Sequence, residues 1–327
     1  MDQEIMVTIC CITYNQEKYI SQTIESFLMQ ETNFKYEIII HDDASTDNTT
    51  EIIRRYEEKF PDIIKPIYQV ENQYSRGIIP SQIVYKKARG KYITICEGDD
   101  YWSSKFKLQK QFDFLEKNQD YIATAHWCEV VDQNNNISDL YKNKYEVFNF
   151  KKDTYTLEDY KRNIIPGHVN TLMFRNIYRD SKYDYGAIYS ASKLVGDRTT
   201  YLILVLSGKV RVIHEVMSCY RFICNDKGTN YCSLVKDKNQ YYDWYNYYNN
   251  LEKYCYKIMN KKVDLGYLKG QNVKGAIYRY ISSNDIKDKE VLEKIKVMFN
   301  YREKVKYKIL LPLFITKASI KKIIYKS

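Results

Sequence analysis

Tyr92-Ile93-Thr94-Ile95-Cys96-Glu97-Gly98-Asp99-Asp100-Tyr101-Trp102 reads as a short apolar run that passes directly into an acidic turn. Tyr92 to Cys96 is short, mostly β-branched or aromatic, and preceded by the chain break at Gly90, which is the pattern of a buried strand. Three carboxylates then fall within four residues. At that spacing they repel one another unless a cation is present. Hard oxygen ligands of this kind suit Mg or Mn, and Gly98 lets the backbone turn tightly. A solvated acidic turn is the alternative reading of the same residues.

Outward from this stretch, strand and helix patterns alternate over the first ~130 residues, as in a parallel sheet with crossover helices. Val7 to Ile12 reads as the first strand, followed by the polar turn Thr13-Tyr14-Asn15-Gln16 and a helix with Ile20, Ile24, Phe27 and Leu28 on one face. Glu37 to Ile40 reads as the second strand and ends in His41-Asp42-Asp43; Ser45-Thr46-Asp47-Asn48 then supplies helix-cap candidates. A third strand is expected near Ile64 to Val70, a helix after Pro80, a helix carrying Leu108, Phe112 and Leu115, and a strand from Tyr121 to Val131. Residues 132–165 read as a polar insertion, Leu194 to Leu206 contains a helix, and Lys209 to Tyr220 is strand-like. Beyond residue 234 the sequence is helical and rich in Tyr and Lys. In an open parallel sheet the carboxyl ends of the strands share one edge. Thr13-Tyr14-Asn15, Asp42-Asp43 and Glu97 to Asp100 should therefore meet there.

The chain has 327 residues, 8 dispersed cysteines, 34 tyrosines and a formal net charge of +10. No stretch approaches the ~18 apolar residues of a membrane span, and Met1-Asp2-Gln3-Glu4 lacks the basic start of a secretory signal. The expected setting is cytoplasmic, with dispersed cysteines as buried thiols. Cys219, Cys224 and Cys232 with His214 are too widely spaced for paired zinc knuckles. The basic balance admits phosphorylated substrates or anionic lipid, and no nucleic-acid-binding motif is present. Strand one is followed by neither G-x-G-x-x-G nor a Walker lysine loop, which disfavours a dinucleotide-binding or P-loop enzyme.

Three segments together resemble the family 2 glycosyltransferases of the GT-A fold. They are Val7-Thr8-Ile9-Cys10-Cys11-Ile12-Thr13-Tyr14-Asn15, Ile38-Ile39-Ile40-His41-Asp42-Asp43-Ala44-Ser45-Thr46-Asp47, and Ala88-Arg89-Gly90-Lys91 running into the stretch quoted first. The resemblance is firm over residues 5–130 and looser to about 225. It implies an α/β fold: a Rossmann-like, mixed but mainly parallel sheet flanked by helices. A transferase domain is expected over 1–230 (1–130 nucleotide-sugar-binding, 131–230 acceptor-binding), with a helical extension over 231–327.

The implied activity is inverting transfer of a sugar from a nucleotide-diphosphate donor, a UDP-sugar above all, to an acceptor hydroxyl in cell-surface polysaccharide biosynthesis. The resemblance places Thr13, Tyr14, Asn15, Glu17, Asp42, Asp43, Arg76, Gly98, Asp99 and Arg221 at the donor, with Asp42 on the base. It places Glu97, Asp99 and Asp100 at a divalent cation, Mn2+ or Mg2+. Glu97 departs from the Asp that usually opens this acidic motif. Gly196-Asp197 resembles the family's later acidic motif, which makes Asp197 the base that takes the acceptor's proton; helix capping is the other reading of that position. Tyr220-Arg221 resembles a family Tyr-Arg element, although Phe222 to Gly228 departs from it. Trp102 and His168 are assigned to the acceptor, a glycan or lipid-linked sugar. The tail Lys306 to Ser327, with Ile320, Ile323 and Ile324 opposite lysines, suits docking on an anionic membrane surface or packing on the domain. A sugar nucleotidyltransferase and a non-catalytic binding protein on the same fold are the competing readings.

Overall fold

The computed structural model describes residues 4–137, 148–179, 183–191, 196–223 and 238–300, and beyond these Glu303, Lys304, Tyr307, Lys308, Pro312 and Thr316. The chain divides into two compact units, Met1–Ile223 and Cys224–Ser327.

The first unit opens with β1 (Ile5–Thr13), α1 (Ile20–Leu28), β2 (Lys35–Asp42), α2 (Thr49–Lys59), β3 (Ile64–Tyr68), α3 (Pro80–Lys87) and β4 (Tyr92–Glu97). It continues through β5 (Tyr101–Trp102), α4 (Lys107–Lys117), β6 (Tyr121–Val131), β7 (Thr154–Tyr155), α5 (Leu157–Lys161), β8 (Met173–Arg175), α6 (Tyr185–Tyr189), α7 (Asp197–Ser207) and β9 (Lys209–Arg221). The strands form one sheet in the order β3-β2-β1-β4-β8-β6-β9-β5, with β7 paired to β9. β3, β2, β1 and β4 are parallel neighbours. β8 is antiparallel to both β4 and β6, and β9 is parallel to β6. Six strands thus point one way, with β5, β7 and β8 reversed. This is the mixed, mainly parallel α/β sheet that the sequence leads one to expect.

The strands that lie inside the sheet are apolar on both faces because helices cover both. Cys10 and Cys11 are both fully buried on opposite faces of β1, and every described cysteine is a free, buried thiol. One core cluster gathers Val7, Ile9 and Cys11 of β1, Ile20, Ile24 and Phe27 of α1, Ile53 of α2, and Leu108 and Leu115 of α4. Each such side chain contributes roughly 1.5–3 kcal/mol by leaving water. The polar insertion after β6 is not structureless. Thr156 and Asp159 form a reciprocal capping box that starts α5.

The second unit holds α8 (Tyr241–Met259), α9 (Gly266–Ser283) and α10 (Ile286–Val297). α8 and α9 both end on an asparagine in the left-handed region, Asn260 and Asn284, each at φ 53°, a conformation that Asn tolerates well. Tyr245, Val273, Ala276, Ile277, Leu292 and Ile295 make their common core. Among the described residues no helix is long and apolar enough to cross a membrane. The tail from Lys317, and Cys224 and Cys232 of the considered zinc set, lie outside the described residues. His214 instead stacks on Trp127 with ring centroids 5.0 Å apart.

Candidate active site

The carboxyl ends of β1, β2, β4, β6 and β9 lie on one rim of the sheet. Thr13 pairs with Asp42 across β1 and β2, and Ile12 pairs with Glu97 across β1 and β4. Asp42 and Glu97 therefore stand two strands apart, about 10 Å. Backbone bonds lace the turns together: Gly98 N donates to Ile12 O at 2.9 Å, and Asp43 N to Thr13 O at 3.0 Å. Gly98 is required by close approach. A Cβ there would lie 2.4 Å from Gln16 Oε1 and 2.7 Å from Thr13 Oγ1. Gln16, which the sequence marks only as part of a turn, accepts from Thr13 Oγ1 at 2.7 Å.

Where β1 and β2 meet the rim, several of the expected residues organise the loops. Asp42 Oδ1 accepts from Ser45 N at 3.1 Å and Ser45 Oγ at 2.6 Å, and Oδ2 accepts from Thr50 Oγ1. Asp43 is 2% exposed and accepts Gln73 N at 2.7 Å and Tyr74 N at 3.0 Å, so it anchors the loop that follows β3. Asn15, at φ 53°, caps Thr46 N with its Oδ1 at 2.7 Å. Glu17 accepts Asn48 N at 3.0 Å, tying α1 to the start of α2. Tyr14 and Tyr74 remain open to solvent. Arg76 is an exposed ion pair with Glu71 at 2.7 Å.

The acidic turn is the densest part of the site. Asp100 is fully buried, with Arg221 N on Oδ1 at 2.8 Å and Asn170 Nδ2 on Oδ2 at 2.9 Å. His168 Nδ1 lies 3.4 Å from Asp100 Oδ2. Glu97, Asp100 and His168 bring three ligand atoms within 4.8 Å of one another, the donor set of a divalent cation. Glu97 and Asp99 are half-buried, and burial raises both their pKa values. For Glu97 the charges of Asp197 and Asp99 push it up further. Burial holds His168 down to about 4, so its imidazole is neutral. Its ring stacks on Tyr220 at 4.1 Å.

Asp197 is the first residue of α7, and the cap position belongs to Gly196. Burial raises its carboxyl to about 6, with Arg198 pulling the other way. Its charge is one of those that raise Glu97.

Two expected contacts sit elsewhere. Arg221 is 2% exposed, and its side chain donates inward, to Asp99 O at 2.8 Å and Gln22 Oε1 at 2.7 Å. It braces the acidic turn from beneath, because β5 pairs Tyr101 with Cys219 and draws the end of β9 under the turn. Trp102 is 1% exposed, donates Nε1 to Asn170 O at 3.2 Å and packs on Phe27 at 4.7 Å. Its ring belongs to the wall of the core. His168 stands with the carboxylates, and Asn170, which sequence reading did not single out, joins them. Both lie about 70 residues from the acidic turn in the chain, so no local spacing could have marked them.

Residues 8–181 match the family model described as Glycosyl transferase family 2. An uncharacterized protein of Mycobacterium tuberculosis is 30% identical over 216 residues, covering 66% of this chain and 58% of that one. The chain thus spans less than two thirds of the length of the first curated relatives it matches. The UDP-Glc:alpha-D-GlcNAc-diphosphoundecaprenol beta-1,3-glucosyltransferase of Escherichia coli is 32% identical over 123 residues, 37% of this chain and 46% of that one. Among solved structures, TarS of S. aureus in complex with UDP has a TM-score of 0.57 at 16% identity, covering 97% of this chain and 89% of that one. That likeness speaks to the fold, which is the GT-A arrangement.

Proposed function

This chain belongs to glycosyl transferase family 2, and from that premise we propose that it transfers a sugar from a nucleotide-diphosphate donor to an acceptor hydroxyl, inverting the anomeric carbon. The observation that carries the reading is the convergence of Glu97, Asp99, Asp100 and Asp197 at one rim, where Glu97 is raised by burial and by the charges of Asp197 and Asp99. Buried carboxylates this close cannot all ionise without a positive partner. The donor set fits a divalent cation, Mn2+ or Mg2+: Glu97, Asp100 and His168 offer two oxygens and a nitrogen, and Asp99 is half-buried beside them. When bound, such an ion neutralises charge on the leaving diphosphate.

The chain's own residues do the rest. Thr13 and Gln16 pack against Gly98 and hold the acidic turn close to β1, and the loops anchored by Asp42, Asp43 and Asn15 form the nucleoside side. Asp197 takes the proton of the acceptor hydroxyl as its oxygen bonds the anomeric carbon and the bond from that carbon to the diphosphate oxygen breaks. A UDP-sugar donor and a glycan or lipid-linked acceptor of cell-surface polysaccharide synthesis are supported by the E. coli relative, whose name gives UDP-Glc and a diphosphoundecaprenol-linked sugar. Such an acceptor would place the enzyme peripherally at the inner face of the cytoplasmic membrane.

The test is thermal-shift screening with UDP-, GDP- and TDP-sugars, with and without Mn2+. One donor class should stabilise the protein, and only with the ion. Asp99→Asn should abolish that dependence and cut turnover at least about a hundredfold, the scale of losing one group that stabilises transition-state charge. A response blind to both donor and metal would overturn the reading.

A further inference from the structure

We propose that Asn170 is a positioning residue for the acidic turn: its buried side-chain amide locks the Asp100 carboxylate, so that this part of the cation-holding edge is built before any ion arrives. The inference rests on the reading of that edge as a cation site.

Asn170 is fully buried within the short 3-10 turn Val169–Thr171. Its Nδ2 donates to Asp100 Oδ2 at 2.9 Å and to Cys219 O at 3.1 Å. Its Oδ1 accepts from Ser218 Oγ at 2.9 Å and from Cys128 Sγ at 3.7 Å. An amide offers two donors and two acceptor sites; both donors are used and Ser218 fills one acceptor site, while the single Cys128 S–H is shared between Oδ1 and Glu129 O. The orientation is not arbitrary. Cys219 O can only accept, so the nitrogen must face it, and that same nitrogen then faces Asp100. The backbone N–H of Asn170 donates to His168 Nδ1 at 3.4 Å. That bond orients the ring but uses the one lone pair of a neutral imidazole, so it gives way if an ion takes His168; the amide's hold on Asp100 does not.

The turn that carries Asn170 is itself fixed from below. Gln111 Nε2 donates to Thr171 O at 2.8 Å, and Thr94 Oγ1 donates to Leu172 O at 2.7 Å. Asp100 Oδ1 is held independently by Arg221 N at 2.8 Å. Each oxygen of Asp100 therefore has its own fixed donor, one from β9 and one from Asn170. No other residue type of this volume serves. Aspartate would set two carboxylates face to face and lose the donor to Cys219 O, and alanine would leave Asp100 Oδ2 free to turn.

The experiment is Mn2+ uptake by the full chain with UDP present, followed by the loss of the free-ion EPR signal, alongside thermal unfolding without metal. Asn170→Ala should raise the Mn2+ Kd at least about tenfold, the usual effect of removing a partner that orients a ligand. Ser218→Ala, which removes one bond from the same amide, should raise it about threefold and serves as the test if Asn170→Ala does not fold. A folded variant of either kind with unchanged Mn2+ affinity, even with a lowered unfolding midpoint, would mean that Asn170 is structural only and would overturn the proposal. Failure of the wild-type chain to take up Mn2+ would instead remove the cation reading itself, a distinguishable result.

Discussion

Asp197 carries the sharpest residue-scale expectation. With its carboxyl raised to about 6 by burial, it holds its proton below that pH and cannot accept another. The kcat/KM profile, which reports the free enzyme, should therefore fall about tenfold per pH unit below pH 6. Asp197→Asn should lose roughly a hundred- to ten-thousandfold in turnover while still binding donor in a thermal-shift assay. An acid limb unchanged in position and a variant of full activity would remove it as the base. At this same scale the sequence reveals identity better than task. Asp42, Asp43, Asn15 and Glu17 were legible as rim residues because they follow strands, yet their bonds run to loop backbone and neighbouring side chains. Arg221 and Trp102 were legible as types but not as buried struts. Their burial depends on which strand lies beneath them, which neighbouring residues in the chain do not encode.

At the scale of the element, α4 shows how a helix that sequence reading treats as an amphipathic support carries a buried charge. Lys107, at its start, is fully buried, with Nζ donating to Thr94 Oγ1 at 3.0 Å and Gln111 Oε1 at 2.8 Å. It also lies 4.0 Å from the centre of the Trp102 ring. Burial lowers its pKa to about 7 from the ordinary 10.5. The folded chain therefore sheds this proton near pH 7, whereas the unfolded chain keeps it to higher pH. Between these values the unfolded state binds more protons, so stability from this group rises with pH, by at most about 1.4 kcal/mol per unit. Denaturant unfolding at pH 7.0 and 8.5 should show the wild type gaining stability relative to Lys107→Met; equal slopes would refute the assignment. β1, β2, β4 and their helices were legible because buried runs and helical stripes are local signals. The pairing of the two-residue β5 with β9, and the bulged β6–β9 ribbon, were not, since register between distant strands leaves little local trace.

For the whole molecule, an excess of 51 Lys and Arg over 41 Asp and Glu sets the encounter with partners more than the chemistry. The lipid-linked acceptor proposed above would lie in an anionic surface, where each nearby basic residue adds about 1 kcal/mol of attraction that salt screens. Full-length protein should co-sediment with phosphatidylglycerol-containing vesicles at low salt, release at high salt, and ignore phosphatidylcholine vesicles. Equal partition onto both would count against an electrostatic approach to the membrane.

One consequence follows from the small strand β5. Tyr101 pairs with Cys219, so the acidic turn is held by a stretch of chain made more than a hundred residues later. Closing so long a loop is entropically slow and comes late. During synthesis residues 1–130 emerge first, yet Asp100 Oδ1 and Asp99 O lack the donors that Arg221 supplies until that residue is made. The acidic turn therefore takes its final form near the end of translation of this unit.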